Sequence, residues 1–267
     1  MRVAQQIIEQ SVPPEAVAIW WLGQNSFVLK SGGALIMIDP FFSRLGPPEK
    51  YLHAEAPLRA EELGPDAVLC THDHSDHTDG EFLSALARSW PEARFFGPPE
   101  SAERMRGAGV PSARVHALES GEVVEVGGAS VRAVLSKTAE VSDVAHFGYV
   151  VGYPGATIYD TGDVMRGITR EAALMAPLER AAPDVALITT SPTEDEFPDF
   201  AEAAALAEAI GARVAVPAHY GCFARRTFDP AGFAEAFGTS GRTRGEIIPY
   251  CGCSIASRDG DGDRSAG

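Results

Sequence analysis

The 267-residue chain has no apolar run approaching the ~20 residues that a membrane-spanning helix needs, which excludes a helical membrane span. Residues 1–10 carry no apolar h-region; they read as a short amphipathic helix stopped by Pro13-Pro14, not as a signal peptide. Basic residues are scarce, 22 Lys and Arg against 37 Asp and Glu, for a formal net charge of -15. A surface of that sign repels nucleic acid and anionic membranes, and no Lys/Arg stripe overrides it. The four cysteines match no common zinc spacing, and Cys251 and Cys253 stand too close for an easy disulfide with each other. Cys70, Cys222, Cys251 and Cys253 are therefore expected to be buried or half-buried free thiols in a reducing cytoplasm. No Pro/Ser-rich linker divides the chain, so residues 1–257 are expected to form one domain. Residues 258–267 have an Asp-x-Asp rhythm but no loop-closing Glu, and read as a disordered, solvated tail and not a calcium loop.

What is present is enough apolar residue, 45%, for one sizeable core. Short apolar runs at 17–22, 26–30 and 34–39 are separated by tight Gly turns and predict an antiparallel meander. A strand at 66–71, a helix at 81–89, a strand at 94–97, a helix near 100–106 and a strand near 114–117 follow as alternating α/β units. The second half resets to strands at 122–126, 130–135, 148–152 and 156–159. It continues with a helix near 170–178, a strand at 184–189, a helix over 199–210, a strand at 213–216 and a short helix at 230–237. Each half thus runs from strands into α/β units. That predicts an α/β fold, a four-layer αβ/βα sandwich with two mixed sheets face to face and helices outside.

The chemistry concentrates in Thr71-His72-Asp73-His74-Ser75-Asp76-His77, directly after a buried strand. Three of the seven histidines in the chain lie here beside a carboxylate. In extended chain His72 and His74 point the same way, and the following turn directs Asp76 and His77 to a neighbouring point. Three or four side chains satisfy one tetrahedral ion, so two groups on different faces suit two ions.

His-x-His-x-Asp-His after a buried strand resembles the metallo-β-lactamase fold superfamily. Trp21-Leu22-Gly23-Gln24, Ile36-Met37-Ile38-Asp39-Pro40, Ile158-Tyr159-Asp160-Thr161-Gly162-Asp163 and Val216-Pro217-Ala218-His219 follow in the expected order. The resemblance covers about residues 17–250 and looks most like the branch that contains the L-ascorbate 6-phosphate lactonase. It implies that His72, His74 and His146 bind one divalent ion, that Asp76, His77 and His219 bind a second, and that Asp163 bridges them. Asp39 would orient ligands from behind, and Asp160 would play a supporting part. His53 and His116 match nothing and are left to loops or surface. The branch implies manganese and the superfamily zinc; iron also suits such donors.

Two dications would lower the pKa of a shared water toward neutrality, giving a metal-activated hydroxide for attack on a carbonyl or a phosphorus. Asp76 is the candidate catalytic carboxylate, accepting the proton of that water. Lys137, Arg166, Tyr220 and Arg225 are candidate substrate contacts. The expected substrate is a lactone or related ester of a sugar acid, although the acidic run Glu194-Asp195-Glu196 is a poor cradle for a phosphate. A small phosphodiester or nucleotide is the second reading, and a non-catalytic metal-binding protein the third. The partner is expected to be a small molecule; homo-oligomerisation stays open.

Overall fold

The apolar runs between tight turns fold as strands, since β-branched and aromatic side chains suit a pleated surface buried on both faces. The computed structural model describes residues 2–142, 144–238 and 241–258. The elements are α1 (Val3–Glu9), β1 (Ala16–Trp21), β2 (Phe27–Ser31), β3 (Ala34–Ile38), β4 (Ala67–Leu69), α2 (Gly80–Ser89), β5 (Arg94–Gly97), α3 (Pro99–Gly107), β6 (Val115–Ala117) and β7 (Val123–Val126). They continue with β8 (Ala129–Leu135), β9 (Phe147–Gly152), β10 (Thr157–Asp160), α4 (Ala172–Ala181), β11 (Val185–Thr189), α5 (Phe200–Ala209), β12 (Val214–Ala218), α6 (Ala231–Glu235), β13 (Arg244–Gly245) and β14 (Cys253–Ser257).

Two seven-stranded sheets result, ordered β14-β1-β2-β3-β4-β5-β6 and β13-β12-β11-β10-β9-β8-β7. In the first, β1, β2 and β3 pair antiparallel and β3 to β6 pair parallel. The second repeats this plan: β7 to β10 are antiparallel, β10 to β13 parallel. Side chains alternate across a strand, so β1 feeds two cores. Val17, Ile19 and Trp21 join Val131, Tyr149, Ile158 and Leu187 between the sheets. Ala18 and Trp20 face the other way, with Leu83, Leu86 and Met105 of α2 and α3. A third core joins Tyr159, Ala186 and Ala215 to Leu178 of α4, Leu206 of α5 and Phe233 of α6. Helix, sheet, sheet and helix therefore stack as four layers.

Caps fix where the helices begin. Asp79 accepts a hydrogen bond from the Phe82 amide at the start of α2, and Asp199 forms a reciprocal capping box with Glu202 at the start of α5. Burial of Phe82, Leu83 and Leu86 then holds α2 on its sheet, at roughly 1.5–3 kcal/mol for each side chain.

The chain departs from the sequence expectations in several places. The predicted strand at 213–216 runs on through Pro217 to Ala218, because β13 pairs only with Val214 and Ala215 and leaves no partner for the missing Pro217 amide on that side. The short strand β13 was not expected. Neither was β14, whose Cys-Ser-Ile-Ala-Ser run carries little apolar signal yet pairs along β1 from Ala16↔Ser257 to Trp20↔Cys253. All four thiols are free, and Cys253 is exposed on this edge strand, not buried or half-buried. Within the segment expected to be a tail, the Arg258 amide bonds to the Gly155 carbonyl; residues 259–267 lie outside the described residues. No described helix is long and apolar enough to cross a membrane.

Candidate metal centre

Strand ends gather the donors. His72, His74, Asp76 and His77 occupy the loop between β4 and α2, where the amides of His77 and Thr78 both bond to the His74 carbonyl and turn the chain. His146 immediately precedes β9, Asp163 lies three residues beyond β10, and His219 follows β12. β9 runs antiparallel to β10, so its start and the end of β10 share one rim of the sandwich. The Phe147 amide bonds to the Thr71 carbonyl across the two sheets at 2.8 Å and fixes the two halves of the site together. Gly162 makes the turn to Asp163 at φ +54; a Cβ there would stand 2.4 Å from the Phe147 carbonyl oxygen and 2.8 Å from the Thr71 Cβ.

The donors form two trios with a carboxylate between them. Potential ligand atoms of His72, His74 and His146 lie within 4.8 Å of one another, and so do those of Asp76, His77 and His219. Asp163 Oδ2 is 3.5 Å from His72 Nε2, while Oδ1 is 3.4 Å from both His77 Nε2 and His219 Nε2. One oxygen thus faces each trio.

Asp39 supports this array from behind. Its Oδ2 lies 2.6 Å from His77 Nδ1 and accepts from Asn25 Nδ2 and from the Thr71 hydroxyl; its Oδ1 accepts from the Thr71 amide. Since the Thr71 hydroxyl donates to Asp39, its oxygen is left to accept from His72 Nδ1, 3.0 Å away. That fixes the tautomer in which His72 Nε2 carries the lone pair facing the centre. Asn25 also donates to Asp160, which is fully buried. Burial and the nearby Asp39 charge push the Asp160 carboxyl up to about 8.

The neighbouring charges and burial set the protonation of these groups in opposite directions. Burial and the adjacent His77 hold His72 well below its ordinary value; burial and Lys137 bring His146 down to about 3; burial lowers His219. His77 alone goes up: burial opposes its charge, but Asp163, Asp39 and Asp76 outweigh burial and raise it to about 10. Asp163 is buried too, yet His219, His77 and His72 hold its carboxyl far below the usual carboxylate range.

These residues fit divalent metal. Buried His77 Nε2, His146 Nδ1 and Asp163 Oδ1 have no hydrogen-bond partner, and all belong to the donor set. Orphaned buried polar atoms are costly and uncommon, and one of these lies in the first trio while the other two face each other at the second, so each trio calls for a partner. Imidazole and carboxylate donors suit zinc, manganese and iron.

A cleft of about 750 Å³ opens beside Asp76, walled by Phe41, Tyr51 and Phe223. These aromatics pack as a separate cluster with Cys222. Arg225 lines the cleft and makes no ion pair among the described residues. The other candidate contacts sit differently. Lys137 is 8% exposed, with its ammonium 5.8 Å from the Phe197 ring centre, and its charge is felt by His146 and Asp163. Arg166 is spent on Asp195, Asp199 and Glu202. Tyr220 is packed between Trp21 and Phe228, with ring centres 4.3 and 4.9 Å away. The acidic run after Ser191 is partly neutralised, since Arg226 pairs with Glu194 and Glu196. His53 stacks on Tyr250, and exposed His116 pairs with Glu122.

The sequence assigns no role to Gln24, Asn25 or Thr71, whose polar side chains become significant only once the sheets bring them to the rim. Non-glycine residues in left-handed backbone at Gln24 (φ 55), Asp39 (φ 42) and His219 (φ 69) mark the same spot. Such strain persists only where surrounding contacts enforce it.

A four-layer sandwich with clustered His and Asp donors on its rim defines a metallo-β-lactamase-fold, metal-dependent hydrolase. The chain belongs to the beta-lactamase superfamily, whose domain model matches residues 35–220. It is 32% identical over 223 residues to a UPF0173 metal-dependent hydrolase of Methanopyrus kandleri, covering 80% of this chain and 89% of that protein. It is 27% identical over 205 residues to a "Probable L-ascorbate-6-phosphate lactonase" of Escherichia fergusonii, covering 60% of this chain and 57% of that one. Among solved structures it resembles Igni18, a metallo hydrolase of Ignicoccus hospitalis, with TM-score 0.68 and 20% identity over 91% of this chain and 99% of that chain.

Proposed function

We propose that the chain hydrolyses a lactone or related carboxylic ester of a sugar-derived acid with two divalent ions, manganese or zinc, held at the rim of the sandwich. The observation that carries this reading is the position of Asp163, with one oxygen toward His72 and the other toward His77 and His219. His72, His74 and His146 would hold one ion, Asp76, His77 and His219 the other, and Asp163 both. When bound, the ions supply Lewis acidity and bring the pKa of a shared water down from about 15.7 toward neutrality.

The protein's own groups do the rest. Asp76 Oδ2 accepts from Gln24, while its Oδ1 makes no hydrogen bond among the described residues and is the place for the proton of the attacking water. The Phe41, Tyr51 and Phe223 wall takes the apolar face of a ring, and Arg225 takes a carboxylate on the acid. Four free thiols suit a reducing, cytoplasmic setting.

Phosphodiester hydrolysis is the second reading, favoured by the same unpaired Arg225. The test is a panel of lactones, phosphodiesters and β-lactams, run with Mn²⁺ and Zn²⁺ in turn. Turnover of lactones is the expected result; turnover of phosphodiesters alone rejects the lactonase reading, and a protein that turns over nothing while binding metal favours a non-catalytic role.

A further inference from the structure

We propose that Gln24 is an additional ligand of the ion between Asp76 and His219, through its side-chain carbonyl oxygen, and that this oxygen biases the position toward a hard cation such as Mn²⁺. The inference rests on the metal-binding reading of the centre and concerns a residue outside the seven donors already named.

Gln24 lies in the turn after β1, only 1% exposed. Its backbone is in the left-handed region at φ 55, held there by three hydrogen bonds. Its amide donates to the Tyr220 carbonyl, and its own carbonyl accepts from the His219 amide and from Trp21 Nε1. The strained turn thus pins the side chain against the second trio. The terminal amide nitrogen sits 2.9 Å from Asp76 Oδ2 and 2.8 Å from His219 Nε2. Both atoms are donors that an ion at this position would use. The Oε1 end of the same amide is buried and without a hydrogen-bond partner.

These contacts follow from the chemistry of the amide. With no cation, only the NH₂ end can face a carboxylate oxygen and an imidazole lone pair, because it is the end that donates. With a cation there, the NH₂ end is repelled and the carbonyl end attracted. A half-turn of the terminal amide exchanges the two ends within nearly the same outline, without moving the backbone. Gln24 is then a donor to Asp76 and His219 in the metal-free protein and a ligand in the loaded one. A neutral carbonyl oxygen is a hard donor of the kind preferred by manganese, magnesium and calcium, whereas imidazole alone does not distinguish manganese from zinc.

The test is a titration of the metal-stripped full chain with Mn²⁺, free ion being followed by its electron paramagnetic resonance signal. Competition with Zn²⁺ and a melting curve of each metal-free variant accompany it. The native protein is expected to bind two Mn²⁺ per chain. Gln24→Leu should weaken one of the two by at least about tenfold and leave the other. Gln24→Glu, nearly isosteric, should tighten the same ion, since it puts a charged oxygen where a neutral one stood, and Gln24→His should shift that position toward Zn²⁺. Weaker or unchanged Mn²⁺ binding in Gln24→Glu overturns the proposal, because a mere hydrogen-bond donor to Asp76 is replaced there by a like charge. If Gln24→Leu fails to fold, Gln24→Glu alone decides. A native protein that binds no Mn²⁺ and no Zn²⁺ sinks the metal reading itself, whereas two tightly bound ions in every variant sink only the role of Gln24.

Discussion

Asp39 Oδ2 lies 2.6 Å from His77 Nδ1, so a carboxylate at the end of the first meander orients a histidine that is distant in sequence. The same Asp39 receives the Thr71 hydroxyl and amide, and through Thr71 it also sets the tautomer of His72. One buried residue thereby aims a member of each trio. Asp39→Asn keeps the shape but loses the charge and one acceptor. Metal affinity should drop by about 10–100-fold. The check is metal content by elemental analysis after dialysis against a weak chelator; unchanged content would show that Asp39 has no part in holding the donors.

His74 is the exposed member of its trio. Its removal creates no cavity, and a surface substitution typically changes stability by about 0.5 kcal/mol or less. His74→Ala should therefore abolish hydrolysis and lower metal content while the metal-free protein melts within a few degrees of the native one. A large drop in the melting temperature would assign His74 a structural part.

Metal uptake should expel a proton from His77. In the metal-free protein this imidazole is charged well past neutral pH, raised to about 10 by Asp163, Asp39 and Asp76 against burial. An ion at Nε2 requires the neutral ring. Calorimetric titrations at pH 7.5 in buffers of different ionisation enthalpy should yield at least about one proton released for each ion that binds at His77, any ionisation of a bound water adding to it. Zero release would mean that His77 is already neutral.

Asp160 should make the metal-free protein less stable as the pH rises. Its folded pKa, about 8, is above its ordinary value of 3.8, so between these limits the folded state holds a proton that the unfolded state does not. The contribution is fully present below 3.8 and is lost as pH climbs through 8. Asp160→Asn removes the titration. Denaturant midpoints of native and variant protein at pH 5, 6, 7 and 8 should converge on one slope only if Asp160 is ionised throughout; a steeper fall in the native protein is the expected result.

Substitution at Gly162 tests the turn that delivers Asp163. Gly162→Ala places a methyl group 2.4 Å from the Phe147 carbonyl oxygen in a left-handed turn, and it should cost on the order of 1–3 kcal/mol of stability and displace Asp163. Retained stability together with retained metal stoichiometry would show that the turn has room to adjust.

Local chemistry alone made much of this legible. Runs such as 94–97 and 147–152 are apolar enough to be strands wherever they lie, and the caps Asp79 and Asp199 start helices by bonding to amides within three residues. The loop from His72 to His77 announces metal because its donors are adjacent in the chain. Where signals depend on a neighbouring strand, the sequence is mute. β14 is a strand because of its ladder along β1, and β12 tolerates Pro217 because its partner strand has ended.

The candidate substrate contacts show the same limit. Arg166 and Arg225 look alike as residues near the motifs, yet one is consumed by three carboxylates and the other lines the cleft without an ion pair among the described residues. The sequence by itself determined the alternation of strands and helices, the four layers and the donor types, since these follow from side-chain period and ligand chemistry. Only the tertiary structure decided which oxygen of Asp163 faces which trio, that Asp39 aims His77, and that Gln24 reaches Asp76, because those relations are formed by strand ends meeting on one rim across distances that the chain's order does not encode.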